Sequence, residues 1–306
     1  MKQVFYFDSH GVGRIHGIVW QPEGEVRAVV QIVHGIAEHM ERYDHFARFL
    51  NSHGIAVVGE DHMGHGMSIG EEGIRGYFHG GWHTAVDDTY QLFLDTQKQF
   101  ANVPYILLGH SMGSFMARTI LAKYPNSGIA GCILSGTAWQ PDGLLKAGPI
   151  AANVMCKFIG EKKCSKKLYD MMFGGFNSKI EHARTGSDWL SRDPKVADEY
   201  EADPLCGFIP TAGLFRDMMN GFVYIQNTEN LQKMNKNLPV FFVAGGDDPV
   251  GNYGAGVKEA ANRFIQNGME RVDLKLYPLC RHEILNELNK DEVYGDLLSW
   301  INGLLK

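Results

Sequence analysis

The sequence predicts an α/β protein: a mostly parallel sheet with helices on both faces and an inserted, mainly helical cap. Three observations point there. Apolar runs of strand length alternate with helix-like stretches from residue 28 to residue 135. The alternation breaks near Gly136 and Thr137, and residues 138–234 carry no clear strand signal. It resumes at residue 239 and continues to the end of the chain.

Residues 4–8 and 13–20 read as an antiparallel entry, with turn signals at Gly11 and Gly13. Strand 28–33 then leads to helix 39–52, strand 55–60 to helix 83–100, and strand 104–109 to helix 112–124. Strand 129–135 ends this half. After the break come strand 239–244, helix 252–267, strand 271–277 and helix 291–305. The expected division is a core of 1–137 and 235–306 with a cap of 138–234. Six of the 13 methionines lie in that cap. Leu214, Met218 and Phe222 recur at helical spacing, as do Phe215 and Met219. Met218, Met219 and Phe222 are therefore candidates to line an adaptable acyl-chain groove, with packing within the cap as the alternative.

Gly109-His110-Ser111-Met112-Gly113 carries the chemistry. It follows the apolar run 104–108 and precedes a helix, which is the setting of a nucleophile elbow. Ser111 is the candidate nucleophile. Glycines on either side let the backbone pass closely, and the helix aims its N-terminal N–H groups at the reaction centre. A serine needs a base, and the base needs an orienting carboxylate. Asp248 follows the apolar run 239–244, which reads as a buried strand, and His282 follows strand 271–277. Both sit on loops beyond strand ends, where open α/β sheets bind ligands. Asp248 is preferred to Asp247 because Pro249 makes a turn that can hold the carboxylate. Strand 28–33 runs into His34-Gly35-Ile36. The backbone N–H groups of Ile36 and Met112 are the candidate oxyanion donors, and His34 is read as a buttress of the turn.

These segments resemble an α/β-hydrolase of the monoacylglycerol lipase and lysophospholipase group, placed with the serine aminopeptidase-like hydrolases. The resemblance rests on residues 34–39 with Arg42 and Tyr43, 61–68, 109–113, 245–250 and 277–287, in family order across nearly the whole chain. It implies a serine hydrolase acting on a small lipid ester, such as a monoacylglycerol or lysophospholipid, without cofactor or metal. A short-chain carboxylesterase, a proline iminopeptidase-like peptidase and an acyltransferase remain readings within the fold. A non-catalytic binding protein of the same fold is the reading outside enzymes, and the complete Ser, Asp, His set speaks against it. Ile36 departs from the small residue often found at the hole position in lipases of the group. Residues 188–222 resemble bacterial lysophospholipase-like members more than the animal lipase.

Composition agrees with a globular enzyme: 44% hydrophobic, 21% charged, net charge −6. There is no basic stripe or nucleic-acid motif, so no nucleic-acid partner is expected. Lys162, Lys163, Lys166 and Lys167 form one dense basic cluster. It is read as a solvated helix end, with transient contact with an anionic lipid surface as the alternative. Five cysteines show no zinc spacing; His62, His65, His79 and His83 could suggest a site, but residues 61–66 instead match a glycine turn after strand 55–60, so no metal is expected. The N-terminal residues lack a signal-peptide core, and no run approaches about 18 apolar residues. The expectation is a cytoplasmic protein with free thiols.

Overall fold

The computed structural model describes residues 1–70 and 72–305. Eight strands form one sheet: β1 (Lys2–Asp8), β2 (Arg14–Trp20), β3 (Ala28–Val33), β4 (Ile55–Glu60), β5 (Tyr105–His110), β6 (Gly131–Ser135), β7 (Val240–Gly245) and β8 (Val272–Tyr277). Their order is β1-β2-β4-β3-β5-β6-β7-β8. β1 pairs antiparallel with β2, and β2 with β4; the pairings from β4 to β8 are parallel. The helices are α1 (Asp44–Asn51), α2 (Trp82–Gln99), α3 (Met112–Lys123), α4 (Asp142–Ile159), α5 (Lys166–Phe173), α6 (Pro194–Ala202), α7 (Ala212–Gln226), α8 (Thr228–Lys233), α9 (Ala255–Gln266) and α10 (Lys290–Leu304).

Successive strand residues face opposite sides, and both sides are covered. Val30, Ile32, Ile106, Leu108 and Ile133 pack with Phe46 and Leu50 of α1 and with Val293, Leu297 and Ile301 of α10. Val29, Val33, Leu107 and Leu134 pack on the other side with α2, α3 and α9. A sheet buried on both faces needs unbroken apolar strands, which is why these segments show no polar alternation. Each such side chain taken fully from water contributes roughly 1.5–3 kcal/mol before entropy is counted.

Two element ends differ from expectation. The stretch read as helix 39–52 is a 3₁₀ turn, Met40–Tyr43, followed by α1. The backbone there is held from outside: Asp61 Oδ1 accepts the N–H of Met40 at 2.8 Å, and Ala37 has a positive φ of 55°. The helix expected from residue 252 starts at Ala255, because Asn252, Tyr253 and Gly254 all have positive φ.

Between β6 and β7 the described chain forms α4 to α8 and no strand longer than an isolated bridge. Four of these helices begin on a polar cap. Ser165, Asp193, Thr211 and Asn227 each accept a first-turn N–H of α5, α6, α7 and α8. No helix among the described residues is long and apolar enough to cross a membrane.

The strand order fixes where a site can form. From β3 the chain steps to β4 on one side, and β5 then returns to β3's other side. Connections leaving β3 and β5 therefore diverge at their carboxyl ends, the crevice where open α/β sheets take ligands.

Candidate active site

Ser111 stands at that crevice, between β5 and α3, with φ 51° and ψ −121°. The strained conformation is stabilised by close packing around it. A Cβ on Gly113 would lie 1.9 Å from the Val33 carbonyl oxygen, and one on Gly109 would lie 2.5 Å from the Gly113 carbonyl oxygen. Both glycines are thus required by contact rather than by φ. They bring the start of α3 against the turn that follows β3.

That turn carries Ile36. The N–H groups of Ile36 and Met112 make no hydrogen bond among the described residues. The turn is fixed by its neighbours: Gly35 N–H donates to Glu38 Oε1 at 2.6 Å, and His34 Nδ1 donates to the Gly35 carbonyl at 2.7 Å. His62 closes the back of the turn through two bonds to His34, and the two rings stack at 3.9 Å. His34 is held neutral by burial and by the neighbouring His62 and His65 rings, which push its pKa well below the usual imidazole value.

On the other side of the crevice, Asp248 and His282 meet. His282 Nδ1 donates to Asp248 Oδ2 at 2.9 Å, and Asp248 Oδ1 accepts Val250 N–H at 2.8 Å. Asp248 is fully buried, whereas Asp247 is exposed. A carboxylate oxygen there accepts, so the ring proton sits on Nδ1. Nε2 is then an unprotonated acceptor, buried and without a partner among the described residues. Burial lowers the His282 pKa, but Asp248, followed by Glu283 and Glu38, outweighs it and leaves the pKa raised. His110, with its ring 4.7 Å from His282, is pushed down to about 4 by burial and by the His282 charge. The two histidines are thereby separated: one stays neutral, the other can cycle.

Ser111 and His282 line one cavity of about 420 Å³, its open mouth included. Its floor is Gly35, Ile36 and His110; its apolar walls are Tyr169, Phe173, Trp189, Leu190, Tyr200 and Pro210. Trp189 lies over His282 with ring centroids 5.0 Å apart. Main-chain bonds hold it there. His282 N–H donates to the Trp189 carbonyl at 3.3 Å and Glu283 N–H to the Leu190 carbonyl at 2.7 Å. Arg281 donates to the carbonyls of Asp188 and Ser191.

The cap residues expected at the groove lie elsewhere. Met218, Met219 and Phe222 are buried on α7 in the main core cluster and are not among the residues lining the Ser111 cavity. Phe222 meets Phe115 of α3 edge to face at 4.8 Å, and the Met219 sulfur fills the space above Gly148 of α4. The walls that do line the cavity come from α5, from α6, from the 3₁₀ turn Asp188–Leu190 and from Pro210. Among the described residues one group could hold a metal, His39 with Asp203 and Cys206, and it lies outside this cavity. No element of the Ser111 site requires a metal or cofactor for acyl transfer.

Known proteins similar to this chain point to one family. The family model described as serine aminopeptidase, S33, matches residues 24–289. A monoacylglycerol lipase of Mycolicibacterium smegmatis is 30% identical over 300 residues, covering 95% of this chain and 94% of that one. The human monoglyceride lipase is 32% identical over 186 residues, 61% of this chain and 54% of its own length. Among solved structures, a thermostable carboxyl esterase from Bacillus coagulans in complex with glycerol superposes with a TM-score of 0.92 at 32% identity, covering 100% of this chain and 99% of that one. The chain belongs to the serine aminopeptidase S33 family of α/β-hydrolases and, within it, to the monoacylglycerol lipase-like group.

Proposed function

We propose that the chain hydrolyses monoacylglycerols through an acyl-enzyme on Ser111. It is a carboxylic ester hydrolase by family. The observation that carries it is the pairing of a strained serine, its hydroxyl without a partner among the described residues, with an apolar-walled cavity. Ile36, whose main-chain N–H is unbonded among the described residues, and His282 of the buried His282–Asp248 pair line that cavity. Ser111 Oγ attacks the ester carbonyl, and His282 Nε2 takes its proton. The tetrahedral oxyanion is bound by Ile36 and Met112 N–H. His282 then protonates the leaving glycerol oxygen, and Asp248 stabilises the imidazolium. Water deprotonated by the same nitrogen releases the fatty acid.

The apolar walls, Tyr169, Phe173, Trp189, Leu190 and Pro210, suit an acyl chain. Residues 1–137 and 235–306 act as the catalytic core and 138–234 as the cap that walls the acyl chain. Exposed Ile150, Val154 and Phe158 on α4, with Met171 on α5 and Lys157, Lys163 and Lys167 around them, suit transient contact with an anionic lipid surface. Five unpaired cysteines suit a reducing cytoplasm.

Ser111→Ala tests the reading. It should lower kcat by about 10⁴-fold or more and abolish fluorophosphonate labelling, with an unchanged circular dichroism spectrum. Wild-type labelling of the alanine variant would remove Ser111 from the chemistry. On the wild type, a panel of monoacylglycerol, lysophosphatidylcholine, p-nitrophenyl esters of graded length and prolyl amides decides the substrate. Preference for C4 esters with no turnover of monoacylglycerol would replace the lipase reading by a short-chain esterase.

A further inference from the structure

A buried ion network joins the two halves of the site. Glu38 Oε1 accepts both Gly35 N–H and the Tyr43 hydroxyl, so this carboxylate fixes the turn that carries Ile36. Its other oxygen accepts Arg42 Nη1 at 2.9 Å. The same guanidinium donates Nη1 and Nη2 to Glu283 Oε1 and Oε2, both at 2.7 Å. Glu283 follows His282 directly, and its N–H is bound to Leu190. Tyr200 of α6 lies against the guanidinium at 5.0 Å and closes the network from outside.

We propose that Arg42 is a positioning residue for the reaction. Its planar fork ties the carboxylate that anchors the oxyanion turn to the carboxylate beside the general base, so donors and base keep one register. The inference rests on the roles of Ser111 and His282 given above. Only a planar guanidinium serves both partners, because it must bind one carboxylate with two parallel N–H groups and still reach the other. Arg42 does not line the Ser111 cavity, whereas Glu38, Glu283 and His110 do. Losing it therefore acts on alignment rather than on substrate contact.

The network also sets charge around His282. The groups facing that ring are Asp248 from the loop after β7, His110 from β5, Glu38 from the turn after β3, and Glu283 from its own loop. Burial alone would raise the Glu283 carboxyl, but Arg42 holds it well below the usual range, so it stays ionised beside His282. Glu38 and Glu283 with Arg42 sum to one negative charge. Making Glu283 neutral cancels it and leaves His282 easier to deprotonate.

Steady-state kinetics on a p-nitrophenyl ester across about pH 5 to 9 test this, with Ser111→Ala measured alongside. Arg42→Lys keeps the charge and loses the fork: kcat should fall about tenfold, KM should change less than about twofold, and the acid limb should not move. Arg42→Met should cost about a hundredfold in kcat. Glu283→Gln should move the acid limb of kcat/KM down by about half a pH unit. Wild-type kcat in Arg42→Lys, or an unmoved limb in Glu283→Gln, overturns the inference. If Arg42→Met does not fold, the lysine and glutamine variants carry the test. Activity surviving in Ser111→Ala would instead overturn the assignment on which the inference stands.

Discussion

Phe222→Ala separates a packing residue from a substrate-binding one. Phe222 is 3% exposed, lies on α7 within the main core cluster and meets Phe115 of α3 edge to face. Truncating a buried phenylalanine costs about 3–5 kcal/mol in lost transfer energy and cavity. An unfolding entropy of about 2.1 cal/mol/K per residue over 306 residues gives roughly 0.6 kcal/mol per degree. The melting temperature should therefore fall by about 5–8 °C. Since Phe222 does not wall the cavity, kcat/KM for C4 and C12 esters should change by the same factor. Phe173→Ala, which does reach the cavity, should behave differently. Each acyl methylene buried is worth about 0.8 kcal/mol, so losing one or two contacts should lower C12 relative to C4 by about tenfold. The assay is the C12 to C4 ratio beside a thermal melt for both variants. An unchanged melting temperature in Phe222→Ala with a tenfold loss of C12 preference would refute the reasoning and return α7 to the acyl groove.

Two further outcomes follow from the site. Asp248→Asn should cost about 10⁴-fold in kcat, because Nδ1 loses the carboxylate that fixes its tautomer, while exposed Asp247→Asn should change it less than about threefold; kcat for both variants decides it, and equal losses would place the orienting charge on the wrong residue. Protonation removes the base, so kcat/KM should fall as pH drops through the raised His282 pKa, with a midpoint above the ordinary 6.5. A pH profile whose midpoint lies well below 6.5 would contradict the charge arrangement around that ring.

What the sequence makes readable is what short stretches of chain determine. The elbow is local: an apolar strand, two glycines that later prove to be contact-required, and a helix. The preference for Asp248 over Asp247 is local too, since the turn at Pro249 and the Val250 N–H act within two residues of the carboxylate. The placement of α7 is not. Leu214, Phe215, Met218, Met219, Phe222 and Ile225 are all buried, so the helix is apolar on several sides and periodicity cannot choose which side meets the cavity. Trp189 and Leu190 have no periodic signal at all. They are set over His282 by main-chain bonds to residues 282 and 283, which no pattern of side chains announces. Glu38 and Arg42 are spaced as an ion pair four residues apart, but their partner Glu283 is 241 residues from Arg42.

The same bonds bear on how substrate reaches Ser111. The segment 188–191 is joined to residues 281–283 by four donor–acceptor contacts, and Arg192 pairs with buried Glu287 on the same loop. The wall formed by Trp189 cannot swing away without breaking them or carrying the histidine loop with it. The α5 end is tied to the same wall, since Asn177 Oδ1 accepts Trp189 N–H at 2.8 Å, whereas α4 packs on α7 and exposes Ile150 and Phe158. Any opening that keeps His282 in register must therefore leave the Trp189 wall in place. The lipid-surface contact proposed above engages Ile150, Val154 and Phe158 of α4, which take no part in those bonds.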